Sequence, residues 1–300
     1  MPVRFAVNIK PSSTRTIYEA PESSLQFLEG TNGATIILIH GLTGSPREMG
    51  FLARSLNKSG FSVLSPRLAN HGEHIQVLRD TTWQEFYQSV KDSFIKLEAN
   101  PQKGPVFVAG LSVGALFGLL LSLDFPDRIA GVSCLSPILF YDGWNAPKWR
   151  FWLPLAFWTP LKNYFYFKEE PPYGVKNEGI RRLIHQHYMQ KELEDDINAY
   201  EQGYPFYPVT LLYQHHLLVK YLKRKLRHIK APVQMVQAHE DDMSSPRNSQ
   251  YIYDHISSVK KEIIMLYNSY HVVSADQERM KVVSQMQRFF NEVLQGPCRA

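Results

Sequence analysis

The feature that most constrains this chain is a set of short apolar segments that return at intervals, each followed by a stretch of helical periodicity. The apolar segments are 34–40 (ATIILIH), 61–66 (FSVLSP), 105–109 (PVFVA), 129–135 (IAGVSCL), 232–238 (PVQMVQA) and 262–267 (EIIMLY). An unbroken apolar run of this length predicts a strand covered on both faces. The helical stretches are 48–58, 82–100, 113–123, 248–255 and 277–294; in the second, Trp83, Phe86, Tyr87, Val90, Phe94 and Leu97 fall on one side. Strand and helix alternating in this way predict right-handed βαβ units and a mostly parallel sheet. The alternation stops across residues 138–230, which are rich in Trp, Tyr, Phe and Pro and show no clear buried strand, and then resumes. The expected architecture is therefore an α/β core made of residues 1–137 and 231–300, interrupted by a mainly helical cap, 138–230. The cap is expected over the C-terminal edge of the sheet, where open α/β sheets place their ligands. The first thirty residues are irregular and either cover the domain or add one or two short strands.

Composition narrows the function classes. A chain of 300 residues can bury roughly 75% of its unfolded surface without staples. With 44% hydrophobic and 20% charged residues, disorder, coiled coil and collagen-like sequence are excluded as the main organisation. Two cysteines, Cys134 and Cys298, support neither a disulfide framework nor a four-thiolate zinc site. The net charge of +5 is spread along the chain apart from residues 220–227, so no nucleic-acid partner is expected. No run of about 18 apolar residues is present, which predicts no transmembrane helix. The opening MPVRFAVNIKPSSTR lacks the apolar core and small-residue cleavage site of a secretory signal. The expected compartment is the cytoplasm.

Three places carry chemistry. Gly110-Leu111-Ser112-Val113-Gly114 lies between a buried strand and an apolar helix, the context of a G-x-S-x-G nucleophile elbow. Large side chains at 110 or 114 would collide with neighbouring backbone, and the tight turn would expose the Ser112 oxygen at a helix N-terminus. His40-Gly41-Leu42-Thr43-Gly44 ends the first strong strand. An oxyanion hole needs two backbone N–H groups aimed at one oxygen; Val113 and Leu42 are placed to supply them. His40 itself is expected to be structural. Downstream, His239-Glu240-Asp241-Asp242 follows a strand, and His271 lies in the loop after the last strand. A base needs one carboxylate to hold its tautomer, and the order Ser, acid, His is that of α/β-hydrolases. The pairs His71/His74, His185/His187 and His215/His216 lack further ligands at metal spacing. No metal is expected; the first pair is expected in a loop near the site and the other two on polar helix sides.

Taken together, these blocks resemble the serine esterases of the α/β-hydrolase superfamily, in particular the bacterial carboxylesterase and monoacylglycerol lipase group. The resemblance also rests on Pro66-Arg67-Leu68-Ala69-Asn70-His71-Gly72 and Arg79-Asp80-Thr81-Thr82-Trp83, and covers residues 34–137 and 230–292. It implies the α/β-hydrolase fold, Ser112 as nucleophile, His271 as base and Asp241 as the acid, with Asp242 at the variable following position. It implies no cofactor. The aromatic-rich insertion departs from the short caps usual in this group.

The expected activity is hydrolysis of small acyl esters, medium- to long-chain or monoacylglycerol-like, through a Ser-His-Asp triad and an acyl-enzyme. A thioesterase or acyltransferase would use the same triad, and a non-catalytic hydrolase-like binding protein would have no need to keep all three residues. The segment 149–167 offers the apolar surface, with Trp152 and Phe157 as candidate substrate-binding residues. Its aromatics, with Lys148, Arg150 and Lys162, also suit transient contact with a membrane surface. Residues 211–229 read as a basic amphipathic helix.

Overall fold

The computed structural model describes residues 3–4, 26–99, 104–146, 151–152, 155, 157, 159–191 and 203–296. In chain order the elements are β1 (Val3–Arg4), β2 (Gln26–Leu28), β3 (Thr35–Ile39), α1 (Gly50–Lys58), β4 (Ser62–Ser65), α2 (Ile75–Asp80), α3 (Trp83–Glu98), β5 (Val106–Leu111), α4 (Val113–Asp124) and β6 (Ile129–Leu135). They continue with β7 (Tyr166–Lys168), α5 (Glu178–Lys191), β8 (Phe206–Pro208), α6 (Val209–Lys223), β9 (Val233–Ala238), α7 (Arg247–His255), β10 (Lys261–Leu266) and α8 (Arg279–Gln295).

Seven strands form one sheet in the order β10-β9-β6-β5-β3-β4-β2. All neighbours are parallel except β2, which runs antiparallel to β4 at the edge. The apolar runs are explained by alternation between two cores. Ile37 and Ile39 of β3 and Val106 and Val108 of β5 face the layer of α3 and α4. Ile36, Leu38, Phe107 and Ala109 face the layer of α1 and α8, where Leu52, Leu56, Met286 and Phe289 are buried. α4 packs centrally and is buried on nearly every side, which is why its sequence is apolar all round. α3 begins with a capping box in which the Glu85 N–H donates to Thr82 Oγ1 and the Thr82 N–H donates to Glu85 Oε2. Its first residue follows from that capping box.

The segment between β6 and β9 differs from the expectation in two ways. It contains short strands: β7 pairs antiparallel with β8 and with β1, making a second sheet of three strands. Strands this short, one of them supplied from the far end of the sequence, leave no periodic signal. Second, α6 is part of the main core, with Leu211, Leu218 and Leu222 buried against the α3 and α4 layer. His215, expected on a polar helix side, is buried, and its Nε2 lies 2.8 Å from the Ile138 carbonyl oxygen. Burial pushes its pKa down to about 4, so it is a neutral donor there.

The segment is fastened to the core at several places. At its start the N–H groups of Leu139 and Phe140 donate to Asn248 Oδ1, and those of Gly143, Trp144 and Asn145 donate to the carbonyls of Met243, Asp241 and Asp242. Two further places lie later in the segment. The Gly174 N–H donates to Asp242 Oδ2 at 3.2 Å, and the Val272 N–H donates back to the Gly174 carbonyl at 2.7 Å. Asp276 accepts from the N–H groups of Lys176, Asn177 and Tyr270. At the last place the Tyr204 N–H donates to the Thr43 carbonyl, and its hydroxyl donates to the Glu73 carbonyl while accepting from the Gly72 N–H.

Candidate active site

The chain reverses its direction of progress across the sheet between β3 and β5: β4 lies on one side of β3, β5 on the other. The carboxyl ends of strands at such a reversal diverge and leave a crevice. Ile39 pairs with Gly110, so the residues that follow, His40-Gly41-Leu42 and Leu111-Ser112, leave the sheet side by side. Ser112 has φ 57 and ψ −115, outside the regions open to ordinary residues, and α4 starts at once after it. The flanking glycines permit this. A Cβ at Gly110 would collide with the Gly114 backbone, and one at Gly114 with the carbonyl oxygens of Ile39 and His40. Val113 opens α4, so its N–H has no intrahelical acceptor and points from the helix N-terminus.

Asp241 and His271 come from loops that leave β9 and β10, which are parallel neighbours. His271 Nδ1 lies 3.0 Å from both carboxylate oxygens of Asp241. Asp241 is itself held: Oδ1 accepts from the N–H groups of Met243 and Ser244, and Oδ2 from Gln237 Nε2 and Ser244 Oγ. Both residues are buried. Burial lowers the affinity of His271 for a proton, but the charge and hydrogen bond of Asp241, with the charges of Asp242 and Glu48, raise its pKa above the ordinary 6.5. The carboxylate fixes the tautomer with the proton on Nδ1. Nε2 is buried and has no hydrogen-bond partner among the described residues. Asp242 does different work: it accepts from the His271 N–H at 3.3 Å and from Gly174. Burial, with the adjacent Asp241 charge, holds it above the usual carboxylate range. His239 and Glu240 are exposed, and Glu240 pairs with Lys176.

The loop 41–44 is held from several sides. The Leu68 N–H donates to His40 Nε2, which leaves the proton on Nδ1, 2.8 Å from the Gly41 carbonyl oxygen. His71 Nε2 lies 2.7 Å from the Leu42 carbonyl oxygen. Burial is the main cause lowering the pKa of both histidines, so both are neutral donors here. His40 thus has the structural place expected of it, and His71 lies next to the site. Glu48 had no part in the sequence-based expectation, yet its Oε1 accepts from the Gly41 N–H. Nothing in its sequence surroundings marks it; only the fold returns it to the strand end.

Ser112, His271, Gly41 and Leu42 border one cavity of about 440 Å³. Its far wall comes from the inserted segment and is mostly apolar: Tyr141, Phe167, Ile180, Leu183, Tyr207 and Leu212. Trp152 and Phe157, the candidate substrate-binding residues, do not line it. Trp152 is 69% exposed on the outer surface. Phe157 is buried in a small cluster with Phe167, Val209 and Leu212, one layer behind the wall. Aromatic composition marked the right segment but could not separate lining from backing. Four carboxyl residues also line this cavity, Glu48, Glu169, Glu170 and Asp242, and burial pushes Glu48 and Glu169 each up to about 7. Glu169 accepts from the Tyr188 hydroxyl at 3.2 Å.

The arrangement can attack a carbonyl with a serine oxygen, hand the proton to an oriented imidazole and offer backbone N–H groups to an oxyanion. Comparison with known proteins agrees with this chemistry. Residues 30–278 match the family described as "Serine aminopeptidase, S33". A thermostable monoacylglycerol lipase of Bacillus sp. (strain H-257) is 29% identical over 255 residues, covering 85% of this chain and 89% of the relative. A carboxylesterase of Bacillus subtilis (strain 168) is 22% identical over 263 residues, 86% of this chain and 92% of its own. The solved structure of a soluble variant of monoglyceride lipase from Saccharomyces cerevisiae superposes with a TM-score of 0.73 at 15% identity, over 97% of this chain and 98% of that one. That likeness is one of fold: an α/β-hydrolase sheet with helices on both sides.

Proposed function

The chain belongs to the serine aminopeptidase S33 family, and on that premise we propose that it is a serine hydrolase of carboxylic esters. The family description names a peptidase; the curated relatives are ester hydrolases, and the apolar cavity wall suits an acyl chain better than a peptide. Ser112 Oγ attacks the acyl carbonyl as His271 Nε2 takes its proton. Asp241 holds the imidazole and stabilises its cation. The N–H groups of Leu42 and Val113 take the charge that develops on the carbonyl oxygen. His271 returns the proton to the departing alcohol, then activates the water that frees the acid from the acyl-enzyme.

The observation that carries this reading is His271, bound through Nδ1 to Asp241 and presenting an unpartnered Nε2 in the cavity that holds Ser112. The substrate side favours medium- to long-chain acyl or monoacylglycerol-like esters. The exposed Phe151, Trp152 and Leu155 on the outside of the cap support transient contact with a membrane surface that supplies such esters. Among the described residues no helix is long and apolar enough to cross a membrane; in this reading the enzyme works in the cytoplasm.

The test is labelling of Ser112 by a fluorophosphonate, located by peptide mass spectrometry, together with turnover of p-nitrophenyl esters of increasing acyl length and of aminoacyl p-nitroanilides. Labelling at Ser112 and faster turnover of esters longer than acetyl are expected. Preferential cleavage of the anilides would replace the esterase reading with a peptidase one, and absence of labelling would leave a binding protein.

A further inference from the structure

We propose that Glu48 is a positioning residue for this reaction: its carboxyl group holds the Gly41 N–H and thereby aims the Leu42 N–H at the oxyanion. The proposal rests on the reading of Leu42 as an oxyanion donor.

Glu48 sits in a single 3-10 turn, Pro46–Met49, that Ser45 caps: the Arg47 N–H donates to Ser45 Oγ and the Glu48 N–H to the Ser45 carbonyl. The turn folds back on the strand end, and Glu48 Oε1 accepts from the Gly41 N–H. The carboxyl group fills the hollow of the loop. A Cβ at Gly44 would collide with it, and one at Gly41 would stand 3.3 Å from Oε1 and 3.8 Å from Ser112 Cβ. Glu48 is thus packed against the loop that runs past the nucleophile.

Gly41 has no side chain to restrict it, and a glycine has the widest choice of backbone angles. It is fixed from outside by two handles. On its carbonyl side, His40 Nδ1 and the Gly44 N–H both donate to the Gly41 oxygen, at 2.8 and 3.3 Å. In a planar trans peptide the C=O of Gly41 and the N–H of Leu42 point in opposite directions, so holding one aims the other. On its N–H side the handle is Glu48. Without that acceptor a buried N–H is left unpaired, and the loop turns to find another partner. Rotation at Gly41 then swings the Leu42 N–H away from the oxygen it must meet. Both the ionised and the protonated carboxyl group offer an acceptor oxygen, so the handle works on either side of its pKa of about 7. Titratable groups that interact with it include His271 from the core loops and Glu169 and Tyr188 from the cap.

The experiment compares Glu48→Ala, which removes the acceptor, with Glu48→Gln, which keeps an acceptor oxygen and removes the charge. Steady-state kinetics on p-nitrophenyl butyrate are paired with inhibition by an alkyl boronic acid, which forms an anionic tetrahedral adduct on the serine. Glu48→Ala is expected to lose roughly 10–100-fold in kcat with KM changed by less than about twofold, and to bind the boronate more weakly by a similar factor. Glu48→Gln is expected to recover most of both. Near-native kcat and boronate affinity in Glu48→Ala would overturn the proposal. So would a Glu48→Gln enzyme as impaired as the alanine variant, or a loss confined to KM. If Glu48→Ala does not fold, Glu48→Asp, which withdraws the oxygen by one methylene, takes its place with the same expected pattern. Ser112→Ala separates the two readings: if it keeps its esterase activity the reaction assignment fails, whereas an inactive Ser112→Ala beside an unaffected Glu48→Ala removes only the positioning role.

Discussion

The loops at the end of the sheet and the inserted segment border the same cavity, but they meet it in different ways. On the core side each group has directional partners: Asp241 accepts four hydrogen bonds besides that from His271, and the carbonyls of Gly41, Leu42 and Thr43 are each bound. On the cap side Phe167, Leu212, Ile180 and Leu183 meet the cavity with apolar surface. Dispersion and burial have no preferred direction, so such a wall tolerates rearrangement that a hydrogen-bonded site does not. The difference teaches where each property resides. Changes in the core should alter rate by orders of magnitude, and changes in the cap should alter preference by small factors.

The sharpest break of this comparison is at the proposed nucleophile. Ser112→Ala and His271→Ala are each expected to lose on the order of 10⁶ in kcat while melting within a few degrees of the parent. Near-native turnover in a folded Ser112→Ala protein would end the distinction. Next comes the proposed acid of the triad. Asp241→Asn removes the charge and offers His271 the wrong tautomer, a loss of about 10⁴ in kcat in the serine protease template. Asp242→Asn, which only touches a main-chain N–H and the cap, should cost far less; the opposite ranking in kcat would exchange their roles.

On the cap side, a methylene in an apolar wall gives about 0.8 kcal/mol, roughly fourfold in kcat/KM. Leu212→Ala or Phe167→Ala should therefore flatten or displace the acyl-length profile while acetyl ester turnover stays within about threefold. A uniform fall across all lengths would assign these residues to support of the reacting centre. The pH profile is a gentler test. In the proposed mechanism His271 acts as a base when neutral, and its pKa is raised by Asp241, Asp242 and Glu48, so kcat/KM should rise with pH through a midpoint above 6.5. A midpoint below 6.5 would contradict the arrangement of these carboxyl groups. The smallest effect belongs to Trp152→Ala, which should leave the profile for dissolved esters unchanged because the ring faces solvent.

The same division governs how much could be read without coordinates. The core strands were legible because alternate residues enter two different apolar layers, so β3 and β5 are hydrophobic without a break. The elbow was legible because its glycines are demanded by backbone contacts close in sequence, as Gly110 against Gly114. Asp241 and His271 stood at strand ends, a place with chemical meaning. Glu48 was not legible: its acceptor role arises when a capped turn folds back seven residues, and nothing in its own helical stretch marks it. Trp152 and Phe157 show the limit for the cap, where hydrophobicity says that a residue is buried or binds but not which. His215 shows it again, a polar residue whose single carbonyl partner, Ile138, lies far away in sequence.

The fastenings of the inserted segment have a consequence for exchanging parts between related chains. One joins residues 139–145 to Asn248 and to the carbonyls of Asp241, Asp242 and Met243; a second joins residues 174–177 to the loop bearing His271, through Asp242, Asp276 and Val272; a third joins Tyr204 to Thr43 and to the loop around Gly72. A graft that replaces 138–230 wholesale would cut all three seams and unsettle the loops of Asp241, His271 and Leu42 together. A graft that keeps 138–146, 172–177, Gly203 and Tyr204 as they are, and exchanges only what lies between them, would carry a new acyl specificity while leaving these three seams in place.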